Sequence, residues 1–436
     1  MTMTARHIRV LLMAAAAVTV GALSLTPGEA HKAITSKYTY NDDVFPILRD
    51  KCARCHVAGG VAPMSLMTYD EAFPWAESIR AELVANHMPP WNAEEGFGAL
   101  KAAHTLSPRE LDIILTWATG GNPRGQLDQK LPPIALKNDW TMGAPDLALP
   151  LPSEFTVAAD KMEDWHEFIV PTGTSEPRWV RAVDLLPGTP SIVRSATISL
   201  RMSNVERDPS AGSGSPRASS RGEGAGGAAG SGENAAAPVP EHVLAYWLPG
   251  QDPEPARASA FRVPAGAQLA VRIHYKKTWQ FEGKALSDRS TVGIYFAKDA
   301  GPHELLTLAL SAPGPSANNA KDITFTRTLN EDVQAVAVSP DDVPPNISVQ
   351  MVAVRPDGSR TPMIRLSTRA DWSRRYWFER PLTFPRGTRI EVTAKLDDPD
   401  ILSAAFGGPA TPPAVASGPL RLTLNVVRPN ARPSAP

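Results

Sequence analysis

Cys52-Ala53-Arg54-Cys55-His56 contains both cysteines of this 436-residue chain, with a histidine directly after the second. C-x-x-C-H is the spacing of covalent haem attachment. Two thiols on one helical turn reach the two vinyl groups of one porphyrin, and the adjacent imidazole reaches the iron. A structural zinc site needs about four ligands, and no second cysteine pair exists to complete one. A thioredoxin-like dithiol needs a strand before it. Here Asn41 to Lys51 reads instead as a capped helix with Val44, Ile47, Leu48 and Cys52 on one face. The expectation is one haem c, with Cys52 and Cys55 as its covalent attachment points and His56 as the proximal iron ligand.

Downstream, Gly59-Gly60-Val61-Ala62-Pro63 reads as a loop, and Thr68-Tyr69-Asp70-Glu71 is a capping box that starts a helix near Tyr69. Pro74 interrupts it. Trp75, Ile79 and Leu83 then form an apolar stripe that ends at Asn86-His87-Met88-Pro89-Pro90-Trp91. A second capping box, Ser107-Pro108-Arg109-Glu110, has proline at the first helical position. Leu111, Ile114, Leu115 and Ala118 are the expected buried face of that helix, which Gly120-Gly121 stops. The distal iron ligand is expected to be Met88, because two prolines stiffen the loop after it. His87, Met64 and Met67 are the alternatives. Methionine opposite histidine raises the haem potential and closes the iron to small molecules, which suits electron transfer.

Residues 42–125 resemble the single-haem cytochrome c domain found at the front of certain exported bacterial proteins. The resemblance rests on Cys52-Ala53-Arg54-Cys55-His56, Ala62-Pro63-Met64-Ser65-Leu66, Thr68-Tyr69, Pro74-Trp75-Ala76 and Met88-Pro89-Pro90-Trp91. In that family a second module often comes next. It is similar to the copper type II, ascorbate-dependent monooxygenases, the group containing peptidylglycine hydroxylating monooxygenase and dopamine β-monooxygenase. Asp139-Trp140-Thr141-Met142-Gly143-Ala144-Pro145-Asp146-Leu147 resembles the lead-in to such a module.

Export is expected from the N-terminus. Arg6, His7 and Arg9 precede an uncharged apolar run from Val10 to Leu25, and Gly28-Glu29-Ala30 is a plausible cleavage site. The run is short for a membrane span, so no stable span is expected after cleavage, with an uncleaved anchor as the alternative. A periplasmic or otherwise exported location fits haem attachment, which in bacteria takes place outside the cytoplasm. The net charge of -1 gives no broad attraction for nucleic acid.

Beyond Leu131-Pro132-Pro133 the pattern changes to short apolar runs between proline and glycine turns. Leu269 to Tyr275, Val292 to Phe296, Ser348 to Val354 and Leu420 to Val427 are examples, and Pro356-Asp357-Gly358 is a hairpin turn. The expected layout is multidomain. A signal at 1–30 precedes a small all-α cytochrome c domain at 36–130 and a linker at 131–155. An all-β two-lobed sandwich module comes after it, with lobes at 156–300 and 301–430. A Gly/Ala/Ser-rich stretch at 206–240 reads as a flexible insertion in the first lobe.

The resemblance implies two copper sites in the β module. Arg272-Ile273-His274-Tyr275 matches the family's His-Tyr segment, so His274 corresponds to one ligand of the first site. Arg194 and Ser195 stand where an adjacent histidine pair would be, and arginine has no lone pair to donate. No His-x-His occurs in the chain, and the matching region reads Val338-Ser339-Pro340-Asp341-Asp342. Copper is therefore not expected, and His274 is read as a remnant. The resulting expectation is a periplasmic c-type cytochrome that passes single electrons to a redox partner protein, without catalytic residues. Its β module would serve docking or assembly, and membership of a larger complex is left open. The alternative is an oxidoreductase of the copper monooxygenase type that hydroxylates an organic substrate with electrons from the haem.

Overall fold

The computed structural model describes residues 35–101, 105–201, 242–251, 259–298, 303–312, 322–343, 347–367, 374–396 and 420–429. The expected export signal and the 206–240 insertion lie outside these residues. Among the described residues no helix is long and apolar enough to cross a membrane.

The N-terminal part consists of short helices and long loops. A π-helical turn, Tyr40–Val44, leads into α1, Phe45–Lys51. The helix α2, Tyr69–Ala72, is capped by Thr68, whose hydroxyl accepts from the Glu71 N–H. Pro74 then tightens the chain into a 3-10 turn, Phe73–Trp75, before α3, Ala76–Val84. Both halves of the second capping box form at α4, Pro108–Thr119. The buried face of α4 is Ile113, Ile114, Trp117 and Ala118. Leu111 and Leu115 only border this core, so the face is rotated from the expected one toward the indole of Trp117. That ring and the fully buried Tyr40 centre the cluster, 5.9 Å apart, and the Tyr40 hydroxyl donates to Leu66 O at 2.7 Å.

The rest is strand. The first group is β1 Leu147–Pro150, β2 Phe155–Val157, β3 Glu163–Pro171, β4 Arg178–Leu186, β5 Val193–Arg201 and β6 His242–Trp247. It continues with β7 Ser259–Val263, β8 Gln268–Lys276, β9 Leu286–Asp288, β10 Thr291–Phe296 and β11 His303–Glu304. A five-stranded sheet, β1-β10-β4-β7-β11, and a four-stranded sheet, β3-β8-β5-β6, enclose one apolar core. The strand β1 falls inside the stretch expected as linker, and it pairs with β10.

The second group is β12 Leu306–Ser311, β13 Asp322–Thr328, β14 Val333–Asp342, β15 Ile347–Val354, β16 Arg360–Ser367, β17 Tyr376–Phe384, β18 Arg389–Leu396 and β19 Arg421–Val427. Two four-stranded sheets, β12-β19-β14-β17 and β13-β18-β15-β16, enclose a second core. The hairpin expected at Pro356-Asp357-Gly358 joins β15 to β16. The chain is thus predominantly β, in paired sheets, with a few short helices ahead of them.

Alternation along β19 shows how the lobes meet. Leu422, Leu424 and Val426 enter the second core, while Val427 enters the first. The inner sheet of the second lobe is therefore covered on both faces. Its face toward the first lobe carries polar groups. Tyr246 donates to Asp341 at 2.5 Å, and the Thr423 hydroxyl also donates to Asp341. The Arg375 guanidinium donates to the carbonyls of Leu244 and Val243 at 3.0 and 2.6 Å and lies 5.2 Å from the Phe261 ring. Hydrogen bonds of this kind at a packed seam favour one docking geometry, because a shift would break them.

Burial pushes the Asp341 carboxyl above its ordinary range, against the hydrogen bonds from Thr423 and Tyr246 and the charges of Arg375 and Arg421. A carboxyl whose pKa is raised by folding binds its proton more tightly in the folded chain. Ionising it costs stability as pH rises from the ordinary Asp range through the folded value. We expect Asp341→Asn to gain stability relative to wild type across that window and to show no pH-dependent gain below it. Denaturant melts at stepped pH measure the gap, and a gap constant with pH rejects the assignment.

Candidate haem-binding site

The helix α1 delivers the cysteine motif. The Cys52 N–H bonds to Leu48 O at 2.8 Å, and the N–H groups of Cys55 and His56 return to Cys52 O at 3.1 and 2.9 Å. The motif is thus one further turn, with both thiols and the imidazole leaving neighbouring positions. The chain then folds back over it. Ala62 N–H bonds to Cys55 O at 3.2 Å and Leu66 N–H to His56 O at 3.1 Å. A Cβ at Gly60 would lie 2.4 Å from Cys55 O, so only glycine permits this approach.

Two features of these side chains fit a haem. The first is the His56 ring, whose Nδ1 lies 3.2 Å from Met64 O. A carbonyl only accepts, so Nδ1 carries the proton and Nε2 keeps its lone pair. Iron- and zinc-bound imidazoles are held in this tautomer by the same kind of outer partner. Burial lowers the His56 pKa, opposed by that bond, so the ring is neutral and able to ligate. The second feature is the state of the thiols. Cys52 and Cys55 are free rather than joined as a disulfide. Burial pushes the Cys52 thiol up to about 12 and the Cys55 thiol up to about 11, the latter partly offset by the charges of Arg194, Arg54 and Arg374. Thiols held protonated are poor metal ligands, so within the motif the neutral imidazole is the side chain suited to ligate a metal.

Met88 is half-buried against the same apolar cluster that Cys52, Ala53 and Met64 border. His87 points elsewhere. Its Nδ1 pairs with Glu82 Oε2 at 3.1 Å, and its side chain is 42% exposed. Met67 is buried within the cluster itself. Met64 and Met88 both border the cluster from loops, and the carbonyl of Met64 already accepts from the His56 ring.

Beyond Met88 the chain leaves the helices. Residues 92–101 lie along both sheets of the second lobe. Ser367 N–H bonds to Asn92 O and Glu94 N–H to Arg365 O, at 2.9 and 2.8 Å. Farther on, Glu379 N–H bonds to Ala99 O and Lys101 N–H to Trp377 O, at 2.9 and 2.8 Å. Arg365 pairs with Glu94 at 3.0 Å. The Trp91 ring stands edge-on to Tyr376 at 5.0 Å, with the Arg374 guanidinium 5.4 Å from its centroid. Nothing in the sequence announced this strap. The Met-Pro-Pro-Trp run was visible, but its partners lie nearly three hundred residues later, and the 92–101 stretch has no strand periodicity.

The copper positions can be located too. Ser195 is the register partner of His274 across β5 and β8. His274 is 2% exposed, its Nε2 is 2.6 Å from Glu163 Oε1, and its ring stacks on Trp165 at 4.0 Å. Burial raises the Glu163 carboxyl, but hydrogen bonds from Lys276 and His274 outweigh it and leave the net value lowered. Among the described residues no group of three or more His, Cys, Asp or Glu comes together as a metal-binding set.

The Trp91 contacts make a prediction. Trp91→Ala removes an aromatic pair and a cation–π contact at a half-buried position, so we expect a loss of about 2 kcal/mol in unfolding free energy. We also expect faster proteolytic cutting within residues 92–101. A variant as stable and as protease-resistant as wild type would show that the strap is held without the ring.

No family model and no curated protein matches the chain. Among solved structures it is similar to a Paenibacillus xanthan lyase, at 10% identity and a TM-score of 0.16. That match covers 70% of this chain and 28% of the lyase, so the chain spans little more than a quarter of that protein's length. It is also similar to PBCV-1 VP54, as fitted into a reconstruction of the virophage Sputnik, at 6% identity and a TM-score of 0.19, covering 70% of this chain and 98% of that one.

Proposed function

We propose that this chain is an exported c-type cytochrome that carries single electrons on one covalently attached haem, with the β region serving as a docking or assembly surface. The observation that carries the reading is the His56–Met64 bond. It fixes an imidazole with a free Nε2 directly beside two reduced cysteines on one helical turn. Haem, when bound, supplies an iron that cycles between two oxidation states. The chain's own residues do the rest. Cys52 and Cys55 tether the porphyrin edge, and His56 is held in one tautomer by Met64. Met88 would be the second iron ligand, which would suit the centre to electron exchange rather than to binding small ligands. The partner would be a redox protein of the same compartment, reached through the haem edge.

Two outcomes test this. In a host that attaches haem to exported proteins, wild type should show covalent haem on a denaturing gel, and the Cys52→Ala, Cys55→Ala double variant should show none. Haem stain persisting in the double variant would remove the reading. Met88→Ala should keep the stain, lose the sulfur–iron charge-transfer band and lower the reduction potential. An unchanged spectrum would transfer the distal role to another residue.

A further inference from the structure

The seam between the two lobes holds a small cavity of about 40 Å³, lined by Tyr246, Gln251 and Phe261 of the first lobe and by Arg375 and Trp377 of the second. Arg375 comes directly before β17. Its two terminal nitrogens donate to Leu244 O and Val243 O at 3.0 and 2.6 Å. Its guanidinium lies 5.7, 5.2 and 5.7 Å from the rings of Tyr246, Phe261 and Trp377. All three rings line the cavity, so the guanidinium stands at its wall. The remaining donor, Arg375 Nε, is buried and has no hydrogen-bond partner. Gln251 lies in the turn after β6, where its N–H bonds to Leu248 O at 3.0 Å. The same turn touches the cysteine motif, because Pro249 O lies 4.0 Å from Cys55 Sγ. Gly250 there has φ +63, and a Cβ on it would meet Arg54 Cβ at 2.5 Å. Gln251 Oε1 is also buried without a hydrogen-bond partner.

Charge balance singles this cavity out. Arginine stays charged at any working pH, and among the described residues Arg375 forms no ion pair. The charge of Asp341 reaches it, but that carboxyl is engaged by Tyr246 and Thr423. Arg181 also borders the cavity, with its guanidinium taken up by Phe296 O at 3.2 Å and the Tyr295 ring. Ring faces and backbone carbonyls balance a buried cation only in part. A water would satisfy Arg375 Nε and Gln251 and leave the charge as it is. An anion accepts from Nε and also balances the charge. The Gln251 amide, turned over, offers it Nε2 as a second donor. A space of this size takes one monoatomic ion or a few waters, and is too small for a phosphate or an organic acid. We propose that the cavity binds one halide ion, chloride under ordinary conditions, between Arg375 and Gln251. These residues come from different lobes, so the bound ion fastens the lobes together and favours the docked chain by mass action. The site does not rest on the haem reading, and the failure of either leaves the other in place.

Two measurements on the full-length chain test this. Crystals soaked in sodium bromide should show an anomalous scattering peak within hydrogen-bond distance of Arg375 Nε. Thermal unfolding at fixed sodium concentration should have a higher midpoint in chloride than in gluconate, an anion too large for the cavity. The gain should grow with chloride as one-site binding requires. Arg375→Met should abolish the gain, but it also removes the bonds to Leu244 and Val243. Gln251→Leu keeps those bonds and is the deciding variant, in which most of the gain should be lost. A water in place of bromide beside Arg375 Nε overturns the proposal. So does a wild-type midpoint that is the same in chloride and gluconate. A chloride gain of equal size in wild type and both variants is a general salt effect, and it overturns the proposal too.

Discussion

Four backbone hydrogen bonds fasten residues 92–101 across the two sheets of the second lobe, and much of the rest of the structure depends on them. An isolated extended segment gains little from its own hydrogen bonds, because water satisfies the same groups. The strap is held by the row of N–H and C=O groups that β16 and β17 offer at their edges, with Trp91 and Leu100 packed on the second core. The loop that presents Met88 ends where this strap begins. Its conformation is therefore set by the second lobe as much as by the helices, and the N-terminal helices and the β region behave as one structure at this point.

Where the sequence was informative, the cause was local. Both capping boxes were legible because an N-cap needs only its own next three residues. The second formed completely. In the first, Glu71 bonds to the hydroxyls of Ser65 and Thr68, at 2.8 and 3.0 Å. The cysteine motif read as a helical turn because C-x-x-C-H has a fixed spacing. The β character of the later chain was legible from strand-length apolar runs. The His56–Met64 bond was not, because a carbonyl acceptor can come from any residue type.

Long-range pairing was hidden for a physical reason. The strap's partners and the contact of Pro249 with Cys55 depend on residues about two hundred to three hundred positions apart, and neither needs a particular side chain to signal it. Residue identity was informative but incomplete at His274. Its family match pointed to metal, yet the structure surrounds it with Trp165, Glu163 and, across the sheet, Ser195. One carboxylate on Nε2 and one stacked indole hold this buried imidazole in place within the sheet. The same holds for Asp341, which stands in the region matched to the second copper pair, is held by Thr423 within its own sheet and joins the lobes through Tyr246.

The contact of Pro249 with Cys55 has a consequence for biosynthesis. A thioether at Cys55 requires the vinyl group and the attachment machinery to reach a sulfur that, in the finished protein, has a carbonyl 4.0 Å away. Gly250 leaves no slack beside it, since even one added carbon would strike Arg54. Under the haem reading, attachment at Cys55 would meet less crowding before the first lobe docks on the motif. The turn after β6 would then pack beside the linkage. Chain order favours this sequence of events, because the motif emerges and can fold about two hundred residues before the turn that covers it.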